Sequence, residues 1–171
     1  MKYSLKTWQI IGFIFTGAMG VLLHFLYDLT GGSILVAPFS AINESIFEHM
    51  KLLFFPMLAF ALIQSRYMGE SYPDFWCVKF IGILSGTILI PVLYYTLNGA
   101  FGTLPDWTNI AIFFITALIS YILETKLFGK GNTICNSGEN AFLALCLIAV
   151  IMASLTFFPL DIPLFQDPLM S

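Results

Sequence analysis

Nine residues in the first third of the chain, "NESIFEHMK" (Asn43–Lys51), bring together two carboxylates, an imidazole and an ammonium group. Such groups transfer protons, hold cations and, in the right geometry, ligate metals. They stand directly before "LLFFPMLAFALIQ", a run that is typical of a membrane helix. A second pair, His24 and Asp28, lies near the end of an earlier apolar run, and its four-residue spacing puts both side chains on one helix face.

The composition places these groups in a membrane protein. Of 171 residues, 58% are hydrophobic and 10% are charged, and the mean hydropathy is +0.89. A soluble domain carries about 25% charged residues, and a core of this size could not bury so many apolar side chains. The partner of most of the surface is therefore expected to be the lipid bilayer. No basic cluster is present, so we expect no nucleic-acid partner.

Five segments approach the length of about 20 apolar residues that crosses a bilayer. They are Trp8–Tyr27, Lys51–Arg66, Phe75–Leu97, Trp107–Phe128 and Asn140–Phe158. The pattern predicts an all-α membrane protein with five transmembrane helices and a single domain over residues 1–171. The second segment reaches full length only if its helix begins near Asn43 and carries the polar stretch with it.

Two local motifs refine this prediction. Ser45 and Glu48 have the spacing of a capping box, in which each side chain satisfies a free backbone N–H of the other residue. "GILSG" (Gly82–Gly86) lets another helix come close, either within the chain or in a dimer. Glu124 and Lys126 are interpreted as an interfacial pair.

The positions of lysine and arginine predict the orientation. If the five segments alternate across the membrane, one end of the bundle carries six of the seven basic residues and the other end carries only Lys51. The six are Lys2, Lys6, Arg66, Lys79, Lys126 and Lys130. By the positive-inside rule, the N-terminus is cytoplasmic and the C-terminus extracytoplasmic. Residues 29–42, which join the first two helices, form either a re-entrant loop or a simple external loop.

The polar residues of the first two helices are expected to lie at the same depth in the membrane. A helix rises about 1.5 Å per residue, so His24 lies about 27 Å from Lys6, and Glu48 about 27 Å from Arg66. We therefore predict an extracytoplasmic-side polar cavity between helices 1 and 2, gathered around His24, Asp28, Glu44, Glu48 and His49. The wider set of ligand-binding or ion-binding candidates is His24, Asp28, Asn43, Glu44, Ser45, Glu48, His49 and Lys51.

Such a cavity has several uses. As a binding or transport site it would take a cation, a proton or a small polar solute, because ionisable groups at membrane depth face partners or water. A divalent metal is one candidate cofactor, with His24, Glu44, Glu48 and His49 as ligands, although no HExxH pattern is present. Five helices make a thin transporter, so this hypothesis includes a homo-oligomer or a partner subunit.

Two other hypotheses remain open at this point. A membrane enzyme acting on a lipid or lipid-linked substrate would use a histidine as base and a neighbouring glutamate as its partner. The absence of a G-x-S-x-G or metalloprotease motif makes an enzyme the less favoured hypothesis. A structural scaffold or assembly factor would use the same residues only as a polar helix-capping knot, with a Glu48–Lys51 ion pair.

The strings "HFLYDLTGG…FSAINESIFEHMKLLFFP" and "IPLFQDP" resemble a family of small bacterial polytopic membrane proteins of unknown function. The resemblance covers the first two helices and the C-terminal tail, and it extends to the middle of the chain only through hydropathy. It implies five helices and a location in the bacterial cytoplasmic (inner) membrane. It implies no activity.

Overall fold

The computed structural model describes residues 4–102, 104–105, 107–130 and 137–167. Within these ranges the chain forms five long helices and no strand; they are α1 (Leu5–Leu29), α2 (Ile46–Met68), α3 (Phe75–Phe101), α4 (Trp107–Phe128) and α5 (Gly138–Phe157). Short 3-10 turns follow at Gly69–Ser71 and Pro163–Phe165. All five long helices are long and apolar enough to span a membrane, which confirms the predicted fold class.

The bundle is built around α2. Its most apolar stretch is 67% buried inside the protein, compared with 22% for α5. α1 and α3 pack on α2, α4 packs on α1 and α3, and α5 packs mainly on α3. The core includes Leu53 and Phe54 of α2, Ile83 of α3 and Ala117 of α4. Because α2 is central, the polar residues at its N-terminal end are carried into the interior of the bundle.

The small residues of "GILSG" pack α3 against α4 within the chain. A Cβ atom added to Gly82 would overlap the Glu124 side chain, and one added to Gly86 would overlap the Ser120 hydroxyl. Both glycines are therefore needed for the close approach of the two helices. Of the two predicted uses of the motif, packing within one chain is the one that the structure displays.

The segment between α1 and α2 folds back beside the last turns of α1. Its backbone makes consecutive turns, in which Ser33 and Val36 carbonyls accept hydrogen bonds from residues three and four positions later. The buried hydroxyl of Ser40 donates to the Leu23 carbonyl and accepts from the Tyr27 N–H. Leu23 and Tyr27 are the acceptor and donor that bond directly in an uninterrupted α-helix. Ser40 thus fastens the segment to the backbone of α1 through these two hydrogen bonds.

Ser40→Ala is expected to loosen this segment while leaving α1 intact. The two backbone groups can bond to each other once the hydroxyl is gone, so the free energy of unfolding should fall by only about 1 kcal/mol. Hydrogen exchange of the Val36, Ala37 and Phe39 amides should accelerate. Ser33→Ala is the control, since no hydrogen bond of the Ser33 side chain is found among the described residues. Equal exchange rates in the two variants would contradict the anchoring role.

Candidate functional site

The polar stretch Asn43–Lys51 includes the turn before α2 and the first residues of α2 itself. Ser45 is the N-cap, and its hydroxyl accepts from the Glu48 N–H at 3.4 Å. The Asn43 side-chain oxygen accepts from the Ser45 N–H at 3.0 Å. The Glu48 carboxylate therefore does not return to Ser45 and instead accepts from the Ile42 N–H at 2.9 Å. The predicted capping box is half correct: Ser45 caps the helix, whereas Asn43 takes the bond expected of Glu48.

Glu48 and Lys51 form a buried ion pair. The Lys51 Nζ lies 2.7 Å from the Glu48 carboxylate. The Lys51 side chain is 0% exposed and the Glu48 side chain 3% exposed. The same ammonium donates to the Ala37 carbonyl at 3.0 Å and to the Thr156 hydroxyl of α5 at 2.7 Å. An ammonium has three N–H donors, and here all three find acceptors. This pair therefore ties α2, the α1–α2 segment and α5 together as a closed structural unit.

A separate cluster consists of His24, Glu44 and His49. One carboxylate oxygen of Glu44 lies 3.8 Å from the His24 Nε2, and the other lies 3.6 Å from the His49 Nε2. The two imidazole rings are 5.7 Å apart. The Glu44 side chain is 39% exposed, while those of His24 and His49 are 28% and 11% exposed. Glu44 is thus the most exposed member of the cluster, His24 is less exposed, and His49 is the most buried.

The C-terminal tail packs over this end of α2. The Phe165 ring lies 4.4 Å from the Phe47 ring, centroid to centroid. The Asp167 carboxylate accepts a hydrogen bond from the Glu44 N–H at 3.4 Å. The backbone of Glu44 is therefore held on one side by the tail and on the other by the N-cap of α2.

The hydrogen bonds of the imidazoles determine what the cluster offers to a ligand. His49 Nδ1 lies 3.0 Å from the Ser45 carbonyl, which can only accept, so this nitrogen carries a proton. In the neutral ring, the His49 Nε2 is then an acceptor. The His24 Nδ1 is buried and has no hydrogen-bond partner within the described ranges. The cluster therefore contains one imidazole nitrogen, the His24 Nδ1, whose hydrogen-bonding capacity no described protein group satisfies.

Both imidazoles also line a cavity of about 150 Å³ between α1, α2 and α4. Its walls are largely aromatic and aliphatic, with the Asn109 amide as a further polar group; they include Phe25, Leu52, Phe113 and Phe114. Gly20 makes room for this wall, because a Cβ there would overlap the Phe113 ring and lie 3.0 Å from the Leu52 carbonyl. The cavity thus combines an apolar body with a polar end formed by the two imidazoles and the Asn109 amide.

The predicted set of five residues is divided in the structure. His24, Glu44 and His49 come together, Glu48 pairs with Lys51, and the Asp28 side chain is exposed with no ion pair among the described residues. Glu44 lies outside α2, which begins at Ile46 after the Ser45 cap, and this separates it from Glu48. Although His24, Glu44 and His49 lie close together, no group of three histidine, cysteine or acidic side chains in the described part of the chain is arranged to hold a metal ion, and the metal site stays a prediction.

Sequence reasoning missed a second buried network near the other end of the bundle. The Lys79 Nζ of α3 lies 2.6 Å from the Glu124 carboxylate of α4, with the side chains 1% and 0% exposed. Gln9 of α1 donates to the same carboxylate at 3.1 Å and accepts from Gln64 of α2 at 3.4 Å. The interpretation of Glu124 as a partner of Lys126 is therefore wrong. The spacing of Gly82, three residues after Lys79, was a sequence signal that Lys79 faces the interior.

Five long apolar helices packed around a hydrophobic core, with buried ion pairs between them, form the architecture of a polytopic helical membrane protein. The chain belongs to a family of unknown function (DUF6512), whose profile matches residues 1–171. The family resemblance noted from two segments thus extends over the whole chain. Comparisons with curated proteins and with solved structures find no match.

Proposed function

We propose that the protein binds a cation, either a proton or a protonated amine with an apolar body, at the His24–Glu44–His49 cluster. One observation carries this proposal: the two imidazoles that share the Glu44 carboxylate also line the apolar cavity. The cluster contains the Glu44 carboxylate, and the His49 Nε2 can accept a hydrogen bond because its Nδ1 donates to the Ser45 carbonyl. These acceptors favour a ligand that brings both positive charge and N–H donors.

The walls of the cavity support an organic cation over a bare inorganic ion. Three phenylalanine rings, those of Phe25, Phe113 and Phe114, border the space. Aromatic faces attract ammonium groups and provide apolar contact for an alkyl chain. A metal ion would instead require several converging ligands within about 2.0–2.6 Å. The ligand class is therefore a small alkylammonium ion, with proton uptake as the minimal form of the same reaction.

The buried lysines support an extracytoplasmic location for the site. Lys79 and Lys51 both lie inside the bundle in ion pairs, so neither belongs in a count of loop charges. The five remaining basic residues, Lys2, Lys6, Arg66, Lys126 and Lys130, all belong to one end of the alternating helices. Lys2 itself lies outside the described residues. We infer a cytoplasmic N-terminus, which puts the cluster at the outer end in the bacterial inner membrane.

The test is binding of hexylammonium to the purified protein in detergent, measured by calorimetry beside hexanol, which has the same chain without the charge. Hexylammonium should bind, and hexanol should bind at least about tenfold more weakly, because a hydrogen bond to a charged group contributes about 1.5–3 kcal/mol. Glu44→Gln should weaken hexylammonium binding by about 10- to 100-fold for the same reason.

Asp28→Asn is the matched control, since Asp28 is an exposed carboxylate near the same end of α1 and outside the cluster. It should leave hexylammonium affinity within about twofold of the wild type. Equal binding of the amine and the alcohol, or an equal loss in the Glu44 and Asp28 variants, would overturn the proposal. The oligomeric state of the same preparation, measured by light scattering, would test the expectation of a homo-oligomer.

A further inference from the structure

A second cavity lies between α1 and α4 near the N-terminal end of α1. It has a volume of about 240 Å³, and its walls include Ile10 and Phe13 of α1 and Leu118 and Ile122 of α4. The rings of Phe13 and Phe114 meet edge-on at 6.3 Å, one from each cavity, so an aromatic contact separates this groove from the His24–His49 cavity. The groove between α1 and α4 is therefore separate from the His24–His49 cavity.

The polar residues in the floor of this groove are engaged with the protein interior. Gln9 donates to the buried Glu124 carboxylate, and the Tyr121 hydroxyl is hydrogen-bonded to Thr16 at 2.8 Å. Among the groups that line the groove, mainly hydrocarbon is therefore left to meet an occupant. Ile10, Leu118 and Ile122 are exposed on the outer surface of the bundle, where acyl chains would surround them. The body of the groove fits an acyl chain.

The open end of the groove carries positive charge on both helices. Lys6 of α1 lines the groove directly. Lys126 of α4 follows Ile122 by four residues and therefore lies one turn further along the same face. Both lysines are exposed, and neither has an ion-pair partner in the described part of the chain. Long lysine side chains at helix ends reach toward the headgroup layer, where they attract anionic lipids.

We propose that this groove is a binding site for one anionic phospholipid, with an acyl chain between α1 and α4 and the phosphate held by Lys6 and Lys126. The site is independent of the cation site proposed above. The bound chain also covers Gln9, which connects the groove to the buried Glu124–Lys79 pair. A lipid that binds only the folded protein stabilises it, so removal of the lipid lowers the stability of the protein.

Native mass spectrometry of the protein in mixed micelles tests the site, with phosphatidylglycerol and phosphatidylcholine of identical chains offered in equal amounts. The wild type should retain one phosphatidylglycerol in preference to phosphatidylcholine. Each lysine near a membrane surface changes attraction to anionic lipid by about fivefold, so the double variant Lys6→Gln/Lys126→Gln should lose a preference of about 30-fold. Lys130→Gln, which removes an exposed lysine just beyond α4, is the matched control and should keep the preference.

A variant that fills the groove tests the chain-binding part separately. Leu118→Trp should reduce retention of both lipids, and Ile122→Phe serves the same purpose if the first variant fails to fold. Thermal unfolding after delipidation should show rescue by phosphatidylglycerol in the wild type and weaker rescue in the double lysine variant. Equal retention of the two lipids by the wild type would overturn the proposal, as would equal losses in the Lys130 and double variants. Retention of a free fatty acid in place of phospholipid would also overturn it.

Discussion

Replacing Lys79 with methionine is expected to lower the free energy of unfolding by about 3–5 kcal/mol, the effect of leaving a buried charge without its partner. Glu124 is fully buried, and within the described residues only Lys79 neutralises it. Gln9 remains to donate one hydrogen bond, but an amide does not supply positive charge. Reversible denaturation in mixed detergent micelles, followed by tryptophan fluorescence, measures the loss.

Two further variants show whether the loss comes from the unpaired charge. Lys79→Met combined with Glu124→Leu should recover most of the stability, because an apolar pair of similar volume is often neutral or stabilising. Lys130→Met, at an exposed lysine, should change stability by less than about 0.5 kcal/mol. If the single Lys79 variant were as stable as the Lys130 variant, the pair would not hold the bundle together as described.

Adding one methyl group at Gly82 is also expected to lower the free energy of unfolding, because it disturbs the same Glu124–Lys79 ion pair. The new Cβ of Gly82→Ala would lie 2.6 Å from a carboxylate oxygen of Glu124 and would overlap its side chain. Relief requires either separation of α3 from α4 or displacement of Glu124 from Lys79. Overpacking of a tight interior costs about 1–3 kcal/mol, and we expect the upper part of this range because the ion pair is disturbed as well.

Gly99→Ala is the matched control on the same helix. A Cβ at Gly99 meets nothing within 4 Å, so only the better helix propensity of alanine operates there. Stability should rise by up to about 1 kcal/mol, the opposite sign to the change at Gly82. Changes of the same sign and size at both glycines would show that α3 and α4 do not approach each other through Gly82.

The elements of this fold are readable from the sequence because each helix is defined by its own residues. Five apolar runs predict five helices, and the need for length in the second predicts that α2 includes the polar stretch, as it does from Ile46. Ser45 is recognisable as the N-cap from its type and position alone. Local chemistry and span length are sufficient for these features.

The grouping of the polar side chains depends on contacts that no local pattern contains. Glu44 stands before the N-cap, and its position relative to His24 depends on the tail residue Asp167 and on the packing of α1 against α2. Lys79 and Glu124 are 45 residues apart, and each has the sequence context of a residue near a helix end. The two residues can pair because Gly82 and Gly86 let α3 approach α4 closely. The sequence does not specify which helix packs on these glycines.

The Lys51 ammonium also has a consequence for biosynthesis. Its acceptor Thr156 lies 105 residues later in the chain, and the Glu124 acceptor of Gln9 lies 115 residues after Gln9. At 5–20 residues per second, a ribosome needs about 5–20 s to synthesise the segment from Lys51 to Thr156. During that time the Lys51 ammonium has Glu48 and the Ala37 carbonyl as partners, and its link to α5 forms only after the last helix has been made.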